Sequence, residues 1–442
     1  MGAFQWTPHR VLLFSYLIAI LVGSILLYLP ISTTRTLSYL DALFTSTSAI
    51  TVTGLVVLDT EKDFTPFGKV VLLVLIQLGG LGYMTLTTYF LITLRRKIGL
   101  RERLILAEAF NYPGMYGLVR FTKRMLPIIL FLEFLGAVLL FPSFFQRQGD
   151  PLTSAGMSLF HSISAFNNAG FSLFSDNLTR FRGDIWLNLV VCTLIILGGL
   201  GFFVLYELLL YWRGGIRRLS THTKLVLVSS SLLVLLGSFV LLLDLYQWDE
   251  LSLKEKILVS LFHSVSARTA GFNTVDLSML SEASLFMLIN LMFVGASPGG
   301  TGGGIKTITA TVIFLAVLSH IRGQREVSFL GRRLMDSQIH RAMVILSLGF
   351  AYTTLMALIL SEIEGKRLIP VLFEVVSAFS TVGLSVGNPQ GLSLSADFSP
   401  LGKILIILTM ITGRVGVLSF MLALAGKGRV RHVSYPEARL LL

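Results

Sequence analysis

The sequence predicts an all-α polytopic membrane protein. Hydrophobic residues make up 54% of the 442 residues and charged residues only 14%. The mean hydropathy of +0.78 is too high for a chain of this length to fold as soluble domains. A helix needs about 20 apolar residues to cross a bilayer, and eight stretches reach that length. They lie at residues 11–29, 67–94, 125–142, 185–212, 224–246, 283–319, 342–361 and 401–425.

A short pattern occurs four times along the chain. The copies cover residues 44–55, 160–171, 262–272 and 373–384; each contains a Ser-Ala pair and then a glycine: Gly54, Gly170, Gly271 or Gly383. The glycines are 116, 101 and 112 residues apart, which is too long for a solenoid repeat and fits a module of two membrane helices. The sequence therefore predicts four modules at residues 1–110, 111–215, 216–330 and 331–442.

Each module also contains a segment of about a dozen residues that is too short to span a bilayer. These segments begin near Leu37, Thr153, Leu251 and Leu368. Each is predicted to be a pore helix that enters the membrane and returns as a loop. Because non-helical backbone at membrane depth must line water or be buried in protein, we expect the four loops to surround one axis. The predicted fold is eight membrane helices plus four re-entrant pore helices around a pseudo-fourfold pore.

The positions of the charges predict the topology. Net charge is +12, and 22 of the 36 Lys and Arg residues lie in the N-terminal stub, residues 95–124, 213–224 and 322–341, and the tail from Lys427. The positive-inside rule places these segments and both termini in the cytoplasm. Topology accounts for the basic charge, so no nucleic-acid partner is expected. Acids such as Asp59, Asp176 and Asp276 lie in the opposite connections, where they would attract cations.

A second pattern of small residues follows each signature glycine, at residues 79–82, 198–201, 295–298 and 413–416. Small residues let membrane helices approach closely or bend. The third copy continues as G-A-S-P-G-G-T-G-G-G-I-K from Gly295 to Lys306. A continuous helix is not expected across that composition.

The four loops have the composition of a potassium filter. A dehydrated potassium ion needs oxygen ligands to replace its water shell, and backbone carbonyls supply them where glycine allows the backbone to turn. The segments ending at Gly54 and Gly383 are close to the T-V-G part of the potassium-channel filter. The predicted filter comprises Thr51, Val52, Thr53, Gly54, Asn167, Asn168, Ala169, Gly170, Arg268, Thr269, Ala270, Gly271, Ser380, Thr381, Val382 and Gly383. The expected K+ ligands are the carbonyls of Val52, Thr53, Asn168, Ala169, Thr269, Ala270, Thr381 and Val382.

These loops, the R-T-A-G-F phrase that starts at Arg268, the glycine-rich break and Arg414 together resemble the Trk/Ktr/HKT superfamily of cation transporters over essentially the whole chain. The likeness is greatest to the bacterial KtrB-type membrane subunit. It implies potassium uptake across a bacterial plasma (inner) membrane, with K+ as the transported ion, Na+ as an activator and no organic cofactor. It also implies a homodimer and a cytosolic RCK/KTN-type regulatory subunit that binds ATP, ADP or a related nucleotide.

The resemblance further implies an intramembrane gate beneath the filter. The gate residues would be Gly295, Ala296, Ser297, Pro298, Gly299, Gly300, Thr301, Gly302, Gly303, Gly304, Lys306 and Arg414. Glycine at all four filter positions implies potassium permeation, because sodium-selective relatives often carry serine at the first.

The sequence leaves two other classes of function to consider. A cation symporter coupled to sodium or protons would use Glu133 or Glu207 as a relay, although structural roles are expected for both. An intramembrane enzyme is not expected, because the sequence carries none of the H-E-x-x-H, nucleophile or P-loop motifs.

Several polar residues near the loops have expected structural roles. His161, His263 and Glu374 lie at the same offset before the Ser-Ala pair, and we expect each to anchor its own pore helix rather than bind a metal. Arg268 is expected to pair with an outer acid, Asp276. Cys192 lies in an apolar run and is expected to be a packed core residue.

Overall fold

The computed structural model describes residues 8–82, 118–388 and 391–425. As predicted, the chain is mostly α-helical. The described helices are, in chain order, α1 Pro8–Tyr28, α2 Tyr39–Ile50, α3 Pro66–Leu81, α4 Leu118–Gln148, α5 Pro151–Phe166, α6 Ile185–Gly199, α7 Phe202–Trp212, α8 Thr221–Leu245, α9 Leu253–Ser266, α10 Glu282–Phe293, α11 Thr307–Ile321, α12 Asp336–Glu364, α13 Leu368–Phe379, α14 Pro400–Val415 and α15 Val417–Ala425.

Each long helix is followed by a short one. Four helices in the described ranges, α1, α4, α8 and α12, are long and apolar enough to cross a membrane. Each packs against the short helix that follows it: α2, α5, α9 or α13. The short helices begin within two residues of the predicted starts. Three have side-chain N-caps, Ser38, Asp150 and Ser252, which satisfy backbone N–H groups that lack a partner within the helix.

The helices that follow the short ones are interrupted. Helices α6 and α7 meet at a bend of 104°, and so do α14 and α15. Gly201 and Gly416 lie at these bends with φ of 96° and 89°, values that glycine adopts readily and that a right-handed helix excludes. The spans predicted at 185–212 and 401–425 are thus each divided into two helices by a bend at the small residues.

The span predicted at 283–319 is also divided, because residues 294–306 form an irregular loop between α10 and α11. Helix α3 ends at Leu81, and the remainder of the span predicted at 67–94 lies outside the described residues. The first module boundary, most of the basic segment 95–124 and the basic tail also lie outside them. By length and composition the described residues contain four crossing helices, or up to six if each bent pair is one span. The count of eight stays a prediction.

The repeat pattern corresponds to repeated packing. Phe44, Phe160, Phe262 and Phe373 begin the four copies, and each is at most 3% exposed. Burying an aromatic ring removes a large apolar area from the surroundings, so these positions fix each short helix against its neighbours. Cys192 is buried and unpaired, as expected. A short hairpin of β1 Ser328–Phe329 and β2 Arg332–Arg333 lies between α11 and α12 and was not predicted.

Candidate functional site

The four signature glycines form a closed ring. A Cβ atom built on each glycine would lie close to the Cα atom of the next: 3.0 Å from Gly54 to Gly170, 3.0 Å from Gly170 to Gly271, 3.1 Å from Gly271 to Gly383 and 2.9 Å from Gly383 to Gly54. Each of these Cβ atoms would also lie less than 3.0 Å from the carbonyl oxygen of the residue before the next glycine, a separation that real Cβ atoms essentially never show. Four segments separated by about a hundred residues therefore meet backbone to backbone around one point, and a side chain at any of the four positions would force them apart.

The backbone of these segments has an unusual conformation at a second position. The residue two before each glycine has a positive φ although it is not glycine: 49° at Val52, 56° at Asn168, 83° at Thr269 and 51° at Thr381. Such angles are rare for β-branched residues and occur where the surrounding structure imposes them, often at ligand sites. Left-handed residues at every second position turn successive carbonyl groups toward the same side of the segment, whereas an ordinary extended strand alternates them.

The serine of each Ser-Ala pair holds its segment in this shape. The carbonyl oxygens of Ser48, Ser164, Ser266 and Ser377 each accept a hydrogen bond of 2.8 Å from the backbone N–H of the residue before the signature glycine. Their hydroxyl groups also bond to the same turn. For example, Ser377 Oγ accepts from the backbone N–H of Gly383 at 3.0 Å. The sequence carried this signal as the recurrent Ser-Ala pair, but did not show what the serine does.

His161, His263 and Glu374 connect each short helix to the segment after the glycine. His161 Nε2 is 3.1 Å from Ser172 Oγ, and His263 Nε2 accepts from the backbone N–H of Thr274 at 3.4 Å. Glu374 accepts a hydrogen bond of 2.6 Å from Ser385 Oγ. These contacts confirm the anchoring role. The described part of the chain also contains no group of three His, Cys, Asp or Glu residues that could hold a metal ion.

A cavity of about 650 Å³ opens on one side of the ring. All four signature glycines border it, and so do Asp59, Asp176 and Asp276 from three different connections. Carboxylates at the mouth of a cleft raise the local concentration of cations. The predicted acidic approach is therefore present on this side.

The glycine-rich loop 294–306 lies against the other side of the ring. The Gly303 backbone N–H donates a 2.8 Å hydrogen bond to Thr381 Oγ1, and a Cβ built on Gly304 would lie 2.8 Å from Ser380 Oγ. A Cβ on Gly302 would overlap the Thr269 side chain. The loop thus contacts predicted filter residues of two modules at distances that leave no room for side chains on these glycines.

Two cations of the predicted gate meet at the same loop. Arg414 donates hydrogen bonds to the carbonyl oxygens of Thr301 and Gly79 and, at 3.3 Å, to Tyr16 Oη. Lys306 Nζ donates to the carbonyl oxygen of Gly302 at 2.6 Å. Lys306 and Arg414 border a second cavity, of about 180 Å³, on the face of the loop away from the ring.

Arg268 does not bind where the sequence analysis placed it. Its guanidinium donates to the carbonyl oxygen of Gly295 at 3.2 Å and to Thr307 Oγ1 at 2.8 Å, whereas Asp276 accepts from the backbone N–H of Ser278. The expected pair with Asp276 is therefore wrong. The physical reason is depth: Arg268 follows the buried end of α9, on the side of the glycine-rich loop, and Asp276 borders the cavity on the opposite side of the ring.

The two glutamates considered as relays are held by neutral donors. Glu133, only 3% exposed, accepts hydrogen bonds from Gln77 at 2.9 Å and from the Asn167 side-chain amide at 2.8 Å. Glu207 accepts from Ser220 Oγ at 2.7 Å. These contacts join helices and fit the structural roles expected from the sequence.

Several long apolar helices, four short helices that lead into one ring of glycines and an acid-lined cavity beside that ring define a multi-pass membrane protein. The sequence matches the family described as "TrkH: Cation transport protein" over residues 15–428. The chain belongs to this family.

Individual relatives agree with this assignment. The chain is 37% identical to "Ktr system potassium uptake protein B" of Bacillus subtilis over 99% of its own length and 97% of the relative's. It is 38% identical to the protein of the same name from Vibrio alginolyticus, covering 98% and 94%. It is 33% identical to "Potassium/sodium uptake protein NtpJ" of Enterococcus hirae, covering 99% and 97%. The crystal structure of the potassium transporter TrkH from Vibrio parahaemolyticus has the same fold, with a TM-score of 0.72, 20% identity and coverage of 96% and 86%.

Proposed function

We propose that this chain is the pore subunit of a potassium uptake system. Four modules of helix, pore helix and helix, at residues 1–110, 111–215, 216–330 and 331–442, surround a pseudo-fourfold axis, and potassium passes inward along that axis. The observation that carries the proposal is the ring in which each signature glycine touches the next and the fourth touches the first. A ring of backbone at membrane depth is stable only where it lines a path or is buried in protein.

The filter consists of the four segments 51–54, 167–170, 268–271 and 380–383. Potassium is bound by the carbonyl oxygens of Val52, Thr53, Asn168, Ala169, Thr269, Ala270, Thr381 and Val382, which replace the water shell of the ion. Two features support this set. The positive φ values within each segment aim successive carbonyls to one side, and the serine hydrogen bonds hold the segments in that shape.

The loop at residues 295–304, with Lys306 and Arg414, closes the path beneath the filter. Support comes from its hydrogen bond to Thr381 and from the two cations bonded to its carbonyl oxygens. A cation approaching from the filter would meet both the loop and two positive charges. Because the loop contains six glycines and packs through hydrogen bonds rather than large side chains, its displacement sacrifices little apolar burial.

The proposal extends to assembly and regulation, and the relatives named as parts of a Ktr system support this extension. The chain acts as a homodimer in a bacterial plasma membrane, with both termini in the cytoplasm, and is controlled by a cytosolic RCK/KTN-type subunit that binds ATP, ADP or a related nucleotide. Sodium activates it, and it uses no organic cofactor of its own. The basic segments 95–124 and 322–341, the second of which contains the exposed hairpin, offer the docking surface for this subunit.

A flux assay on the isolated chain tests this function. The chain is reconstituted into proteoliposomes. The uptake of K+, Rb+ and Na+ is then compared for the wild type, Gly54→Ser and a deletion of residues 299–303. We expect selective potassium flux that loses selectivity in Gly54→Ser and increases in the deletion. Gly156→Ala is the matched control, because a Cβ at Gly156 meets no atom within 4 Å. Absence of cation-selective flux in all variants would rule out the pore.

A cation symporter coupled to sodium or protons is the second candidate. It is favoured by the burial of Glu133 within a membrane-length helix and by the potassium/sodium uptake described for the Enterococcus relative. A symporter would move a fixed number of sodium ions or protons per potassium ion. Simultaneous measurement of potassium uptake and internal pH or sodium therefore separates the two: a pore shows no fixed ratio.

A further inference from the structure

At one position of the repeat, only one of the four copies carries a charged residue. Three residues before the signature glycine, the four copies carry Thr51, Asn167, Arg268 and Ser380. Arg268 is the only charged residue among the four. The same third module is the one in which the loop at 294–306 interrupts the inner helix between α10 and α11. The charged residue and the loop, the two features that break the fourfold repetition, therefore occur in the same module.

In the structure, Arg268 contacts both ends of this loop. The Arg268 Nη2 atom donates to the carbonyl oxygen of Gly295, where the loop begins, and to Thr307 Oγ1, directly after the loop ends. Thr307 Oγ1 in turn lies 3.1 Å from the same Gly295 oxygen. Nη1 donates to the carbonyl oxygen of Ser230 on helix α8 at 3.2 Å. One guanidinium thus fastens both ends of the loop to each other and to an outer helix.

The surroundings of Arg268 make these hydrogen bonds important. The residue is only 8% exposed, and a cation at membrane depth is costly unless polar groups satisfy it. Hydrogen bonds from a charged donor are about twice as strong as neutral ones. A largely apolar cavity of about 360 Å³ borders both Arg268 and Ala296. Packing therefore leaves one side of the arginine open, and the hydrogen bonds fix its position.

Arg268 also links the glycine-rich loop to the proposed filter segment in which it lies. Its neighbour in sequence is Thr269, which has φ of 83° and whose side chain occupies the space beside Gly302 in the middle of the loop. Movement of the middle of the loop away from the ring must separate Gly302 from Thr269, and movement of its ends must break the bonds to Arg268 or draw the arginine with them. The ends and the middle of the loop are thus tied to two adjacent residues.

We propose that Arg268 is a positioning residue that holds both ends of the glycine-rich loop in the closed position and couples the loop to the third filter segment. This inference rests on the proposed pore function. It assigns to Arg268 a role on the gate side of the filter, and it makes Thr307 its hydrogen-bond partner in that role.

The test is rubidium uptake by the full chain in proteoliposomes, with Arg268→Gln, Thr307→Val and the double variant. Loss of charge-assisted bonds of this kind corresponds to an increase in flux of about tenfold for Arg268→Gln. A smaller increase is expected for Thr307→Val. The double variant should be no faster than Arg268→Gln alone, because both substitutions release the same constraint. Thr307→Ser keeps the hydroxyl and should retain wild-type flux, which a general packing role for Thr307 would not predict.

Arg182→Gln is the matched control. It removes an arginine whose side chain is 42% exposed and bonds to Glu255 outside the loop region, and its flux should equal that of the wild type. If Arg268→Gln does not fold, Thr307→Val and Thr307→Ser still decide the question. Unchanged flux in Thr307→Val, together with increased flux in the deletion of residues 299–303, would overturn the role of Arg268 while leaving the pore intact. No selective flux in the wild type or the deletion would instead contradict the pore itself.

Discussion

Arg414 donates a hydrogen bond to the carbonyl oxygen of Thr301, so helix α14 reaches the glycine-rich loop between α10 and α11. The same guanidinium donates to the carbonyl oxygen of Gly79 in helix α3. An arginine presents several N–H donors in a fixed planar arrangement, which lets one side chain join helix α14, the loop and helix α3. Its charge also lies where an ion would leave the proposed filter.

Replacing Arg414 should open the path. We expect Arg414→Gln to increase rubidium flux through the isolated chain about tenfold, because the variant removes both the charge and the bonds that hold Thr301. Arg414→Lys keeps the charge but not the planar donor arrangement, so its flux should lie between that of the wild type and that of Arg414→Gln. Uptake by proteoliposomes measures both. A folded Arg414→Gln protein with wild-type or lower flux would contradict the closing role.

The glycine ring should not tolerate one added methyl group. In Gly383→Ala the new Cβ would lie 2.9 Å from the Gly54 Cα atom, on a backbone with φ of 92°. Both the overlap and the left-handed conformation are unfavourable for alanine. We expect the preference for potassium over sodium to fall at least about tenfold and the unfolding temperature in detergent to decrease.

Gly156→Ala provides the comparison for this substitution. Gly156 lies within helix α5 and has open space around it, so alanine there should stabilise the helix by about 0.5–1 kcal/mol with unchanged selectivity. If Gly383→Ala had the same ion selectivity and unfolding temperature as Gly156→Ala, the ring would not be a tightly packed filter.

Ser377 should set selectivity through the shape of the filter. Ser377→Ala removes the acceptor for the Gly383 backbone N–H and leaves that buried group unsatisfied, which costs about 1–3 kcal/mol. We expect a lower unfolding temperature and a reduced ratio of potassium to sodium flux. In Ser229→Ala the lost hydroxyl bonds only to carbonyl oxygens of its own helix, so its selectivity should not change. A selective Ser377→Ala variant would mean that the backbone bonds alone hold the segment.

Glu133 should not be needed as an ionisable group. Glu133→Gln preserves the size of the side chain and one carbonyl acceptor for Gln77 or Asn167. We expect potassium flux within about twofold of the wild type and the same dependence on external pH in both proteins. Glu133→Leu, which removes all hydrogen bonding, should be less stable. Loss of flux in a folded Glu133→Gln protein would support proton-coupled transport instead.

The sequence predicted much of this architecture because membrane insertion imposes strong local rules. Apolar length placed the long helices, and the starts of the short helices differed from the predicted ones by at most two residues. The glycines at 198–201 and 413–416 predicted close approach or bending, and a 104° bend is found at each. The extent of the bend could not be predicted, because a glycine permits a positive φ without requiring it.

The roles of polar side chains were harder to predict. The anchoring of His161 and Glu374 followed from their equal offsets in the repeats, because equivalent positions in a repeat have equivalent surroundings. Arg268 has no charged equivalent in the other copies, so its partner had to be guessed from charge alone, and Asp276 was the wrong choice. The direction in which a buried cation points depends on carbonyl groups from distant segments, and sequence does not show these.

The sequence by itself determined that this chain is a multi-pass membrane protein of four related segments, each with a glycine that had to lie in a special backbone position. Hydrophobic length and repetition carry that information, because both are properties of the chain read locally. Only the tertiary structure decided that the four glycines meet in one ring, that the loop at 294–306 lies directly against it, and that Arg268 and Arg414 reach that loop from different modules. Those contacts join residues more than a hundred positions apart or connect across helix breaks, so they depend on the packing of the whole chain.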